Sequence, residues 1–500
     1  MKIVNPNQMS EIDKKSMELY GIPGLLLMEN AGIKCWELIK EELGRDKLFK
    51  NNFLIIAGTG NNGGDSLVIA RQAWMYGTRN INIILTRDNA NTENNIHRNI
   101  CKKLGIPVFQ YKNSTEEIKK LFKTADVIID GITGTGLHGA LYGPSEELVA
   151  FINLSRAKKI SVDIPSGLGD EFKTGFPVVK ADITLTVGLP KTILYYPSMR
   201  IFAGKIITVK IGFPLELLEN PSDSGDIYNT DKFQLPYIPD WAYKGSRGHA
   251  AVFAGSTSTS GAAFLSSTAA GRSRSGLVTL FTDNNIYPSL SSKASSIMVA
   301  KLKSDNPDLS GFTSLLAGPG WGTDNRSRLL SWLFKSKING VLDAAGLKVL
   351  LGLDSDFIKT PGLLNGKWVF TPHPGEFESL SGVDKEDFLL SPVPVMKTVA
   401  TKYGAVIVLK SHVTFIVNPK GEYSVVDGMN PALGTGGSGD ILSGIIAGFM
   451  AQGMAPYKAA VTAVILHQKI GKVCFRDKGW FLAEDLLPYI SSELKNMEIL

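Results

Sequence analysis

The chain has 500 residues, more than one hydrophobic core usually organises, so two domains are the expectation. Hydrophobic residues make up 44% and charged residues 20%, which excludes a disordered or fibrous chain. With 53 basic and 47 acidic residues the net charge is +6; lacking a dense Lys/Arg run, this mild excess suits phosphorylated metabolites rather than nucleic acid. In chain order, the stretch Gln8–Leu43 reads as an N-terminal helical region. From Phe53 to Ile211, β-branched runs alternate with helical patterns. Phe53–Ala57, Ile81–Leu85, Asp126–Asp130, Lys159–Asp163 and Ile183–Val187 read as buried strands, with helices at Asp65–Tyr76 and Thr115–Lys123. Residues 213–240, with Pro214, Pro221, Pro236 and Pro239, carry no sustained period and read as a linker between domains 1–212 and 241–500. Beyond it, strands are expected at Ala250–Ala254, Leu277–Phe281, Gly340–Asp343, Lys367–Thr371 and Ala405–Lys410. Helices are expected at Ala262–Ser275, Gly439–Gln452 and Pro456–Phe475. The apolar run Ile441–Met454 is too short to span a bilayer and is interrupted by Gly444, Gly448 and Gly453, so it reads as a buried helix.

Strand–helix alternation in both halves predicts α/β domains with parallel sheets covered on both faces. Two glycine-rich stretches, each ending on an aspartate, stand out: Ala57–Asp65 and Leu433–Asp440. In both, glycines would let backbone N–H groups approach a phosphate, and a helix follows with its positive end toward the ligand. In open sheets the ligand lies beyond the carboxyl ends of the strands. Asp130 and Asp163 close two strands, and Asn61–Asp65 follows the first, so polar groups converge on one rim. Cys35, Cys101 and Cys474 are too scattered for a disulfide framework or zinc site, and favour a reducing, cytoplasmic interior. The opening Met1–Pro6 lacks the apolar region of a signal peptide. His97, His138, His249, His412 and His467 show no metal-ligand spacing.

Further motifs carry a resemblance. Leu27–Gly32, Gly58–Asp65, Asp130 with Gly134–Leu137, Val162–Leu168 and Gly188–Lys191 resemble the epimerase domain of NAD(P)H-hydrate repair enzymes. Lys244–Gly248, Ala254–Ser256, Gly318–Gly322, Thr371–Glu376, Leu409–Lys410 and Gly436–Asp440 resemble the nucleotide-dependent dehydratase of the same family. The motifs arrive in family order over nearly the whole chain. The resemblance implies an N-terminal Rossmann-like three-layer α/β/α epimerase domain and a C-terminal ribokinase-like dehydratase domain.

It also implies roles for particular residues. Asn62, Asp130 and Ser166 would hold a potassium ion. Asn61, Asn62, Gly63, Gly64 and Asp65, with Gly134, Thr135, Gly136, Leu137, His138, Gly139 and Ala140, would bind the hydrated nicotinamide nucleotide. Asp163 would act as acid or base, with Lys191 assisting. In the second domain Ala263, Gly322 and His373 would touch the hydrate. Lys410, Ser411, His412, Val413 and Thr414, with Gly436, Gly437, Ser438 and Gly439, would bind ADP or ATP with magnesium. Asp440 would activate the substrate hydroxyl. A homo-oligomer and no membrane partner complete the implied picture. Three positions depart from the family pattern: Ser66 for a glycine, Ala345 for a second acid, and Ser411 for a glycine.

Read in isolation, several of these residues admit plainer roles. Asn61–Gly64 could be a strand–helix turn, Asp163 a turn cap, Lys191 a solvated lysine and His373 a loop residue. Gly436–Asp440 could be an ordinary helix start, its acid complementing the dipole. The C-terminal half could be a small-alcohol or vitamin-precursor kinase, and the N-terminal half a non-catalytic nucleotide-binding module.

Overall fold

In the computed structural model, residues 1–112, 115–228, 235–293, 295–322, 326–353 and 364–497 are described. The linker positions 229–234 lie outside them. The chain divides into two compact units, Lys2–Ser224 and Gly225–Leu500, the latter with Met1. The stretch read as a linker contains a helix, Leu215–Glu219, and a strand, Gly225–Tyr228. Among the described residues, no helix is long and apolar enough to cross a membrane.

In the first unit the helical region expected at Gln8–Leu43 is two helices, α1 (Pro6–Glu18) and α2 (Gly24–Leu43). Asn5 caps α1 by accepting from Gln8 N while the Gln8 side chain answers Asn5 N. The sheet comprises β1 (Phe53–Ala57), β2 (Ile81–Leu85), β3 (Val108–Gln110), β4 (Val127–Gly131), β5 (Lys158–Val162), β6 (Ile183–Val187) and β7 (Lys205–Val209). Every pairing is parallel and the order is β3-β2-β1-β4-β5-β6-β7. Helices α3 (Asn61–Tyr76) and α4 (Thr92–Lys103) join β1 to β2 and β2 to β3. Strand order reverses between β1 and β4, where a doubly wound sheet opens a crevice. One face buries Ile55, Leu67, Trp36 and Ile129; the other buries Ile56, Ile128, Leu148 and Phe122.

The second unit has β8 (Gly225–Tyr228), β9 (His249–Phe253), β10 (Leu277–Thr282), β11 (Met298–Lys301), β12 (Ser314–Ala317), β13 (Asn339–Leu342), β14 (Trp368–Phe370), β15 (Val406–Leu409), β16 (Val413–Val417) and β17 (Tyr423–Asp427). They run in the order β8-β17-β16-β15-β14-β13-β12-β9-β10-β11. From β11 to β15 the pairing is parallel, but β15-β16-β17 is an antiparallel meander that the alternation pattern did not disclose. Helices α7 (Ser260–Arg272), α8 (Pro374–Ser381), α9 (Ser438–Ala451) and α10 (Pro456–Lys478) position the loops discussed below, taking α5 and α6 as Glu116–Thr124 and Pro144–Leu154. Every residue of α9 from Ile441 to Ala451 is buried. A Cβ on Gly444 would sit 2.3 Å from Ser266 O, so glycine there lets α9 lie against α7.

Candidate active sites

In the N-terminal unit, the glycine stretch starts α3 earlier than expected. Gly60 is the N-cap, so Asn61–Asp65 form the first turn and present backbone N–H groups at the positive end of the helix. Asn94 Nδ2 on α4 donates to Gly58 O (3.0 Å) and Gly60 O (2.8 Å), and Arg98 donates to Gly58 O and to Asn94 Oδ1. This clamp, which fixes the loop from outside, has no motif in the sequence.

The crevice holds a cavity of about 710 Å³. Asn61, Asn62, Asp65, Gly134–Leu137, Asp163 and Lys191 line it, whereas Gly63 and Gly64 are buried in the turn and His138, Gly139 and Ala140 lie beyond the lining. Asp163 follows β5 with φ +66°, a left-handed conformation that costs a non-glycine residue roughly 1–3 kcal/mol and recurs at functional sites. Its carboxylate accepts from Lys191 Nζ at 2.5 Å and from Val187 N at 3.3 Å. Lys191 is 1% exposed and also donates to Thr186 Oγ1 and Val187 O. It is a buried partner of the acid, not a solvated lysine.

The three acids expected on one rim part company. Asp65 and Asp163 face the cavity, but Asp130 is fully buried beneath it, accepting from Ser161 Oγ (2.8 Å), Ser166 N (2.9 Å) and Ser166 Oγ (2.5 Å). Ser166 Oγ accepts in turn from Thr133 N, and Asn62 Nδ2 donates to Thr133 O at 2.7 Å. Asn62, Asp130 and Ser166 therefore meet around Thr133. Burial raises the Asp65 carboxyl well above its ordinary range, the charges of Asp163 and Asp13 push the same way, and Lys191 opposes. Asp13, from α1, lines the same cavity and carried no signal in the sequence.

In the C-terminal unit, Gly437 caps α9 with φ +94°, a left-handed turn suited to glycine that aims Ser438–Asp440 into the first helical turn. Asp440 is half-buried, and burial followed by the charge of Asp343 raises its carboxyl to about 7 against the opposing pull of Lys410. Lys410 Nζ donates to Asp343 Oδ1 at 2.8 Å, and a Cβ on Gly439 would lie 3.4 Å from that ammonium. Burial pushes Lys410 down, but Asp343, Glu376 and Asp440 together hold it above its usual range. At Ala344, where the family's acid-alanine-acid pattern is broken one residue later, φ is +50°.

At the carboxyl ends of the strands, Gly255 N donates to Pro319 O and Thr259 Oγ1 to Gly320 O, which ties the loop after β9 to that after β12, while Lys410 N donates to Pro372 O and ties the loop after β14 to Lys410. Ala263 is fully buried there, with Gly322 over Ser256. His373 stands at the rim as the cap of α8: its Nδ1 accepts from Gly375 N and Glu376 N, and Glu376 Oε2 accepts from His373 N. Along Lys410–Thr414, Ser411 and His412 form the turn while Val413 is wholly within the core. Asp343 is the site residue that sequence reasoning left unassigned.

A family profile described as NAD(P)H-hydrate dehydratase matches residues 250–493, and one described as YjeF-related protein N-terminus matches residues 24–193. A Moorella thermoacetica protein named bifunctional NAD(P)H-hydrate repair enzyme Nnr is 30% identical, covering 100% of this chain and 97% of its own. A Coxiella burnetii protein of the same name is 31% identical, covering 97% of each. Among solved structures, an ADP/ATP-dependent NAD(P)H-hydrate dehydratase from Bacillus subtilis, co-crystallised with ATP and Mg2+, is 26% identical over 53% of this chain and 94% of its own, at TM-score 0.46.

Proposed function

The chain belongs to the family of bifunctional NAD(P)H-hydrate repair enzymes, and on that premise we propose what each of its two sites does. The N-terminal unit interconverts the R and S hydrates of NADH and NADPH. The C-terminal unit dehydrates the S hydrate to NAD(P)H at the expense of ADP or ATP. The observation that carries this reading is a likeness running the length of the chain, 30% identical over 97% of the relative. The readings as a small-alcohol kinase or as a non-catalytic N-terminal module give way to it.

In the first site, Asp163 is the acid or base at the hydroxyl-bearing carbon, and Lys191 holds its carboxylate in place. The first turn of α3 and Gly134–Leu137 receive the nucleotide phosphates and ring. Potassium suits the residues beneath: Asn62 Oδ1 is buried without a hydrogen-bond partner beside a buried carboxylate and hydroxyl. Asn62, Asp130 and Ser166 would hold the ion with oxygen alone, and it would brace the loop that carries Thr133 and Gly134 against the substrate.

In the second site, N–H groups of Gly436–Gly439 and the positive end of α9 receive nucleotide phosphates. Asp440, with its carboxyl near 7, takes the proton from the hydrate hydroxyl as that oxygen is phosphorylated. Phosphate then leaves where hydroxide could not, which is why a dehydration consumes a nucleotide. Among the described residues no cluster of three His, Cys, Asp or Glu forms a metal cage. Magnesium would come with the nucleotide, neutralising charge on the phosphates it transfers. A homo-oligomer is supported by the resemblance, and light scattering tests the assembly; a reducing, cytoplasmic setting is supported by Cys35, Cys101 and Cys474, all buried and unpaired.

The deciding experiment supplies mixed R and S hydrates with ADP or with ATP and follows the return of reduced nicotinamide. Complete recovery with either nucleotide supports both activities. Recovery of the S fraction alone removes the epimerase, and a stable phosphorylated product removes the dehydratase.

A further inference from the structure

The structure assigns a second proton-transfer group to the epimerase site, and we propose that it is Asp13 of helix α1. This rests on the epimerase reading above and deepens it. Inversion at the hydroxyl-bearing carbon proceeds as follows. The C–O bond breaks with its electron pair on oxygen, a proton arrives from one acid, and water departs. The ring nitrogen's lone pair closes a C=N bond. Water adds to the other face and gives up a proton to a base, so nothing is oxidised or reduced. One carboxylate serves one face, and the other face needs a group of its own. Asp65 and Asp163 both rise from the sheet rim, at the start of α3 and the end of β5. Of the other two lining acids, Glu93 belongs to the first turn of α4, and Asp13 comes from a separate wall, the helix ahead of the sheet and of the matched residues 24–193.

That wall is held in register with the catalytic pair. Val4 N donates to Pro190 O at 3.1 Å and Thr192 N to Val4 O at 2.8 Å, bracketing Lys191. Met9, Asp13 and Met17, four residues apart on one helical face, all line the cavity, and Met9 lies against Gly188. Met9, Ile12 and Ser16 are buried, so an acid between them occupies a face that packing would fill with an apolar side chain. Among the described residues its carboxylate has no hydrogen-bond or ion-pair partner. Burial and the charge of Asp163 raise its proton affinity while Lys191 lowers it, which is the behaviour of a group facing that pair.

The test uses the full chain, purified R or S hydrate without nucleotide, and water enriched in oxygen-18. Wild type should exchange epimers far above the uncatalysed rate and take up one label per inversion. Asp13→Asn should lower kcat for exchange by about 10²–10⁴ with little change in KM, while dehydration of S hydrate is retained. Glu11→Gln, an exposed position on the same helix, should match wild type. Exchange by Asp13→Asn within a few-fold of wild type overturns the proposal. So does wild-type inversion without label uptake, a readout that needs no variant to fold. If wild type itself fails to exchange epimers, the epimerase reading falls instead.

Discussion

Asp440 is asked to be both buried and basic, and the two demands set its behaviour with pH. Burial and Asp343 lift its carboxyl to about 7, so below that pH it is largely protonated and cannot accept the hydroxyl proton. Dehydration of pure S hydrate should rise with pH and level off above about 7, and kcat measured across that range checks the limb. Asp440→Asn should bind nucleotide, lose about 10²–10⁴ in turnover and leave epimer exchange untouched; near-normal NADH recovery would reduce Asp440 to a helix cap. The same raised proton affinity has a sign for stability. It contributes below the unfolded value near 3.8 and is lost as pH climbs through about 7, so above 7 a buried charge remains. Asp440→Asn should therefore raise the unfolding temperature at pH 8 and leave it nearly unchanged at pH 4, as calorimetry at the two pH values would show. In the other unit, Asp163→Asn strands the Lys191 ammonium at 1% exposure. Breaking one partner of such a pair costs about 3–5 kcal/mol, so epimer exchange and resistance to urea should fall together.

Helix α9 shows how an element serves a site through its packing rather than its polar end. Gly444→Ala would place a methyl 2.3 Å from Ser266 O and 2.9 Å from Ala269 Cβ, and overpacking of this kind costs about 1–3 kcal/mol. Because the same helix carries Ser438–Asp440, the displacement should weaken nucleotide affinity as well as lower the unfolding temperature, with epimer exchange unaltered. Titration calorimetry with ADP checks it, and unchanged affinity would show that the helix start is held by its own loop. That helix was legible in the sequence because its apolar run has one length and one reading. Strands Phe53–Ala57 and Ile81–Leu85 were legible to the residue because both are buried β-branched runs. Val108–Gln110 was not, being three half-buried residues, nor was Val413–Val417, which continues an apolar stretch through a short turn. The glycine stretches announced their loops, yet Asp13 and the Asn94–Arg98 clamp stayed hidden. Nothing local marks a side chain whose partner is brought by topology from elsewhere in the sequence.

At the scale of the whole chain, each unit has its own core and its own proposed site, so each reaction should be separable from the other by a single substitution. The S hydrate alone is consumed by the second site, and the R hydrate reaches it only after inversion at the first. A chain carrying Asp163→Asn, given mixed hydrates and nucleotide, should restore the S fraction quickly and then slow to the uncatalysed rate of inversion. A chain carrying Asp440→Asn should equilibrate the epimers and restore neither. Mixing the two variants should return complete recovery at a rate that grows with the concentration of each, because the hydrate passes between sites through solution. Recovery that stays incomplete in the mixture, while the unaltered chain consumes both epimers, would mean that the two sites must reside on one chain for the hydrate to pass.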